Sequence, residues 1–99
     1  MTITKTQEGS TLKVALEGRL DTTTAPELEA EMRDALGGVT ELDIDLASLV
    51  YISSAGLRVM LALQKQMNKQ KGQMTIRNAG EDLMEIFEVT GFVDILHIL

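Results

Sequence analysis

The feature that most constrains this chain is a repeated switch in the period of its apolar residues. In "TLKVALEG" (Thr11–Gly18) Leu12, Val14 and Leu16 alternate with Lys13 and Glu17, the period of a half-buried strand. In "DTTTAPELEAEMRDALGG" (Asp21–Gly38) the spacing changes to that of a helix, with Leu28, Met32, Ala35 and Leu36 on one side and Glu27, Glu31 and Asp34 on the other. In "ELDIDLA" (Glu41–Ala47) Leu42, Ile44 and Leu46 return to period two. A strand that returns through a helical crossover runs parallel to the first, so these segments predict a β-α-β unit.

The rest of the chain extends that unit. "TITKTQ" (Thr2–Gln7), joined through Glu8-Gly9-Ser10, predicts an antiparallel hairpin partner for the first strand. Thr24 with Glu27 three residues later has capping-box spacing, Pro26 sits in the first turn, and Gly37-Gly38 ends that helix. "AGLRVMLALQKQMNKQKG" (Ala55–Gly72) predicts a second helix, apolar nearly all round in its first half and therefore the most buried. Lys65, Lys69 and Lys71 lie at its dipole-favoured end. "QMTIRN" (Gln73–Asn78) is a short strand burying Met74 and Ile76. "EDLMEIFEVTG" (Glu81–Gly91) is a third helix, acidic in its first turn, and "VDILHIL" (Val93–Leu99) is a last strand or the start of a terminal element. The expectation is an α/β fold: a mixed four- to five-stranded sheet in the order β-β-α-β-α-β-α-β, with helices mainly on one face because two strands carry one polar face each. At 99 residues, the chain is expected to be a single domain over 1–99.

Composition removes several functions. Nine Lys+Arg against 15 Asp+Glu leave a net charge of −6, the wrong sign for nucleic acid or anionic lipid as the main partner; a local basic cluster remains at Lys65, Lys69 and Lys71. There is no cysteine, hence no disulfide, thiolate zinc site or cysteine nucleophile. Three aromatics, Tyr51, Phe87 and Phe92, do not make a base-stacking platform. The polar first residues lack a secretory core, and Val59–Leu63, the longest strongly apolar run, is too short for a bilayer. A cytoplasmic protein without membrane association is expected. Asp43 and Asp45 share a strand face but gather no further ligands, so no metal and no cofactor is expected, and no phosphate-binding glycine loop is present.

The chemistry concentrates in "LVYISSAGLRVML" (Leu49–Leu61), where two serines separate a strand-like from a helix-like run. Ser53 or Ser54 lies at or beside the helix N-cap, where a serine oxygen accepts an orphan amide, worth ~1 kcal/mol. A phosphate added there is stabilised by its own helix and brings about −1.5 to −2 charge. Ala55 and Gly56 are small enough for close approach of a partner. Cap alone and phosphorylation switch both fit these residues. A third reading, a small serine hydrolase using Ser54, meets a nucleophile elbow without its first glycine, since Ile52 stands two residues before Ser54. The only histidine, His97, is in an apolar terminal run.

Three stretches, "GRLDTTTA" (Gly18–Ala25), "LDIDLASLVYISSAGLRVML" (Leu42–Leu61) and "EDLMEIFEVTGFVDIL" (Glu81–Leu96), resemble the bacterial anti-sigma factor antagonists, small domains of the sulphate transporter and anti-sigma factor antagonist (STAS) class. The resemblance spans nearly the whole chain in the right order. It implies a non-enzymatic partner switch. The unphosphorylated protein binds an anti-sigma factor that is often also a serine kinase, phosphorylation on one serine weakens that binding, and a serine phosphatase resets it. ATP and magnesium belong to the kinase.

Carried over residue by residue, the phosphoacceptor is Ser54, with Ser53 as rival. The family commonly shows D-S-[ST]-G-L, whereas this chain reads Ser53-Ser54-Ala55-Gly56-Leu57. Ser53 thus replaces an acidic residue and Ala55 a second hydroxyl. The resemblance further implies partner contacts from Asp21, Thr22, Ser53, Gly56, Leu57 and Arg58. Arg58, one helical turn past Ser54, faces solvent, a phosphate or a partner carboxylate. Many relatives continue past the last strand into another helix; here the apolar residues near Leu99 are expected to stay open to a partner or a weak homodimer, and the chain to be a monomer or weak homodimer. The alternative reading keeps the fold without the switch, as a scaffold module of a signalling assembly.

Overall fold

A computed structural model describes all residues, 1–99. Its elements are β1 (Thr2–Glu8), β2 (Thr11–Leu20), α1 (Ala25–Ala35), β3 (Glu41–Ile52), α2 (Ser54–Lys69), β4 (Gln73–Arg77), α3 (Glu81–Val89), a 3-10 turn over Phe92–Asp94, and β5 (His97–Ile98). The strands form one five-stranded sheet in the order β1-β2-β3-β4-β5. β1 pairs antiparallel with β2 through a tight turn at Gly9, whose φ of +62° favours glycine, and every other pair is parallel. Each crossover from β2 to β5 moves one strand in the same direction. Right-handed crossovers of that kind place every helix on the same face, which is why α1, α2 and α3 share one side.

The sequence pattern fills that side. Leu12, Val14, Leu16 and Leu20 of β2, and Leu42, Ile44, Leu46, Leu49 and Ile52 of β3, are all buried and join one continuous core with Leu28, Met32, Met60, Met67, Leu83 and Phe87 from the helices. α2 contributes Gly56, Leu57, Val59, Met60, Leu63 and Met67, so it carries the largest buried share of any helix. No helix is long and apolar enough to cross a membrane.

Three expectations are corrected. First, β3 runs to Ile52, five residues beyond Ala47. Between Ala15 and Glu17 of β2 the partner strand advances from Asp45 to Ser48, and between Gly18 and Arg19 it advances from Leu49 to Tyr51. Each step inserts one extra residue into β3, a β-bulge. Two bulges convert the buried spacing from Leu42, Ile44, Leu46 to Leu46, Leu49, Ile52, which hides the strand from a period-two reading. Asp45 supports the first bulge: its Oδ1 accepts from Ala47 N–H at 2.9 Å and from Asn78 Nδ2 at 3.1 Å.

Second, Thr24 occupies the N-cap of α1 but makes no capping bond. Its hydroxyl turns back, donating to Arg19 O at 2.7 Å and accepting from Asp21 N–H at 2.8 Å. Third, the last segment is mostly not strand. The 3-10 turn takes Phe92–Asp94 and only His97–Ile98 pair with β4.

Candidate functional site at the β3–α2 junction

The junction is built on one backbone hydrogen bond. Leu20, the last residue of β2, lies opposite Ile52, the last residue of β3, and Leu20 O accepts from Ser53 N–H at 2.9 Å. Asp21 and Ser54 therefore each stand one residue past the same bond, at the carboxyl ends of neighbouring parallel strands, where open α/β sheets gather their sites.

Gly56 makes the close approach possible. It is buried at the start of α2, and a Cβ built on it would stand 2.7 Å from Leu20 Cγ, 2.8 Å from Ile52 Cγ1 and 3.0 Å from Leu20 O. Any side chain there would push α2 away from the strand ends. Leu57 is buried as well, 7% exposed. Gly56 and Leu57, both expected among the partner contacts, are packed against the core, where they position the residues beside them.

The two serines divide the work. Ser53 is the N-cap, in extended conformation, and its Oγ accepts from Gly56 N–H at 3.4 Å. Ser54 is the first helical residue and is exposed. The cap explanation accounts for Ser53 and leaves the Ser54 hydroxyl free of it. No acidic residue lies in the first turn of α2.

Asp21 organises the neighbouring loop. Its Oδ1 accepts from Thr23 Oγ1 at 2.8 Å, Thr23 N–H at 3.0 Å and Thr24 N–H at 3.2 Å, and its Oδ2 is 3.7 Å from Arg19 Nε. The Thr23 hydroxyl bond, followed by the Thr24 amide bond, holds its carboxyl below the ordinary value of 3.8. Asp21 thus closes the turn before α1, and the helix itself has no side-chain cap. The neighbouring Thr22 lines a shallow groove of about 470 Å³ between α1 and α2, with Pro26, Glu29, Arg33, Ala55 and Arg58. Arg58 is exposed at its rim, and Arg33 is bound to Glu29 at 3.2 Å.

A feature the sequence reading missed lies on the other side of the junction. The second bulge turns both Val50, 68% exposed, and Tyr51, 37% exposed, away from the core. Arg19 stacks over the Tyr51 ring, 4.3 Å from its centroid. The signal was the three-residue spacing Leu46, Leu49, Ile52, which leaves two consecutive residues outside between buried ones.

The residues weighed for other chemistry lie elsewhere. His97 is level with Thr75, itself paired with Asp43 near the start of β3, whereas Ser54 follows the far end of that strand; it is not placed to serve Ser54 as a base. Asp43 is bound to Arg77 at 2.7 Å.

A mixed five-stranded sheet with its three helices on one face is the fold that the resemblance to the STAS class implies, and comparison with known proteins agrees. The family described as "Mlab, STAS domain" matches residues 3–98; the chain belongs to the STAS domain family. BtrV of Bordetella bronchiseptica is 34% identical over 96% of this chain and 83% of its own length. The anti-sigma-B factor antagonist of Bacillus subtilis is 30% identical over 93% of this chain and 84% of its own length. Bacillus SpoIIAA in its phosphorylated form shares the fold with a TM-score of 0.78 at 18% identity, over 99% of this chain and 91% of that one.

Proposed function

We propose that this chain is a cytoplasmic anti-sigma factor antagonist, without catalytic activity of its own, that binds an anti-sigma factor with serine-kinase activity and is switched off by phosphorylation of Ser54. The observation that carries the reading is the division of labour at the junction. Ser53 makes the capping bond to Gly56 N–H, so Ser54 is exposed with no structural duty at the start of a helix anchored to two strand ends. The Bacillus subtilis relative named as an anti-sigma-B factor antagonist supports the partner class, and the existence of a phosphorylated form of SpoIIAA, a protein of the same fold, supports the modification.

In this mechanism the kinase brings ATP and magnesium. Ser54 Oγ bonds to the γ-phosphorus, the bond from that phosphorus to the β,γ-bridging oxygen breaks, ADP leaves, and the hydroxyl proton passes to a base of the kinase. A serine phosphatase reverses the state by hydrolysis. The phosphate adds about −1.5 to −2 charge where Thr22, Ala55 and Arg58 meet the partner. Burying that charge against an interface shaped for a neutral hydroxyl is unfavourable by desolvation, and the fold needs no rearrangement for the switch to act. Asp21 serves by fixing the Thr22 loop.

The test is titration of the host's anti-sigma factor kinase with wild-type protein, Ser54→Ala and Ser54→Asp. Ser54→Ala is expected to bind like wild type and resist phosphorylation, and Ser54→Asp to bind at least tenfold more weakly with an unchanged circular dichroism spectrum. Equal binding by Ser54→Asp, together with no phosphorylation of wild type, would replace the switch with the scaffold reading.

A further inference from the structure

We propose that Arg58 is the intramolecular receptor for a phosphate on Ser54, so that modification captures this arginine as well as adding charge. The inference rests on Ser54 as acceptor, and adds what happens to the surface once the phosphate is in place.

Ser54 and Arg58 are four residues apart on α2, the spacing that stacks side chains on one helix face. Both are exposed. Arg58 has no acidic neighbour on its own helix: the residues three and four away are Ser54, Ala55, Leu61 and Ala62. Across the groove the single acidic lining residue is Glu29, and its Oε1 is held by Arg33 at 3.2 Å. The other carboxylate at the junction, Asp21, is saturated by Thr23 and Thr24 and lies beside Arg19. Arg58 is thus a free guanidinium one turn beyond a free hydroxyl, with every nearby acid already engaged.

A guanidinium fork matches phosphate oxygens better than any other side chain. Before modification, Arg58 points into solvent at the groove rim, available to a carboxylate on a partner. After modification, the phosphate is the strongest acceptor within reach. The switch then changes two features in one step: a negative charge appears at Ser54 and a positive one is withdrawn from the rim. The small Ala55 between them leaves the approach unobstructed.

The measurement is a phosphorus NMR titration of the full chain carrying phosphoserine encoded at position 54, in wild type, Arg58→Gln, Arg58→Lys and Arg33→Gln backgrounds. A paired arginine favours the dianion, so removing it raises the second phosphate pKa. The expected rise in Arg58→Gln is about 0.3 unit at low salt, the size of an exposed pair at this spacing. Arg58→Lys should recover part of it, and Arg33→Gln, which removes the same charge from the same groove, should change it by less than a third as much. Identical titration of wild type and Arg58→Gln, or an equal shift in Arg33→Gln, would overturn the proposal. Because the phosphate is installed during synthesis, this result is independent of whether the host phosphorylates Ser54. Failure of the switch and failure of the receptor are therefore read separately.

Discussion

Gly56→Ala tests the packing that places Ser54. The added methyl would lie 2.7 Å from Leu20 Cγ, 2.8 Å from Ile52 Cγ1 and 3.0 Å from Leu20 O. Leu20 and Ile52 are themselves buried, 0% and 2% exposed, so neither side chain has space to retreat, and the third contact is backbone. Overpacking of this kind costs roughly 1–3 kcal/mol. Alanine within a helix recovers about 0.5–1 kcal/mol of that through propensity. The net expectation is a loss of up to about 2.5 kcal/mol, centred at about 1.3 kcal/mol, which at the centre is a fall in Tm of roughly 5–10 °C for a domain of this size. Because Leu20 O also accepts the Ser53 amide, the strain falls on the bond that positions the serine pair, and phosphorylation by the kinase should slow along with it. The assay is urea unfolding at constant slope, with Gly37→Ala as control. A Cβ at Gly37 meets nothing within 4 Å, so that variant should stay within about 0.5 kcal/mol of wild type. A Gly56→Ala protein as stable as wild type would refute the claim that α2 is seated on the strand ends through this glycine.

Ser53→Ala should cost about 0.5–1 kcal/mol in chemical denaturation through loss of the cap, the low end because the bond to Gly56 N–H is long at 3.4 Å. Ser54→Ala should stay within about 0.5 kcal/mol of wild type, and reversal of that order would exchange the roles of the two serines. Asp21→Asn should destabilise the Thr22–Thr24 loop in a pH-dependent way. The Asp21 carboxyl is held below its ordinary value of 3.8 in the folded protein, so its contribution is present above that value and lost as pH falls through the lower folded value. The stability difference between wild type and Asp21→Asn should be constant from neutral pH to about pH 5 and shrink below the ordinary carboxylate value, and a difference that grew on acidification would contradict the assigned hydrogen bonds. Asp45→Ala should expose the Ala47 amide that Asp45 satisfies and increase hydrogen exchange at Ala47 and Ser48, with unchanged exchange there counting against Asp45 as the support of the bulge.

The order of elements along the chain and the one-sided placement of the helices were legible because alternation and helical spacing report which residues must be buried. Leu12, Val14, Leu42, Ile44, Met74 and Ile76 declare the inner face without tertiary information, and the direction of the crossovers follows from chirality. What escaped the pattern was irregular backbone. A strand-like run before Ser53 was visible, but alternation could not join it to Glu41–Ala47 because two bulges shift the phase at Leu46 and Leu49, and the same shift concealed the outward-facing Val50–Tyr51 pair. Thr24 looked like a cap because capping-box spacing is a local signal. Its hydroxyl is instead drawn to Arg19 O, and Asp21, earlier in the chain, accepts the Thr23 and Thr24 amides of the turn before the helix. Ser53 and Ser54 could not be separated by spacing alone, since either can open a helix. The register of Leu20 against Ile52 decides it by fixing Ser53 at the N-cap. Gly56 and Leu57 lie in a stretch that looks like a docking motif, and the packing of Gly56 against Leu20 and Ile52 adds a conformational role that the motif alone does not reveal.

The most direct test of the account is phosphate mapping on the protein purified from its host. Trypsin releases Asp34–Arg58 as one peptide, which contains Ser48, Ser53 and Ser54, and fragmentation between Ser53 and Ser54 assigns the site. The account predicts phosphate on Ser54 under conditions in which the partner kinase is active. Phosphate on Ser53, or a peptide that stays unmodified while that kinase is active, would contradict it.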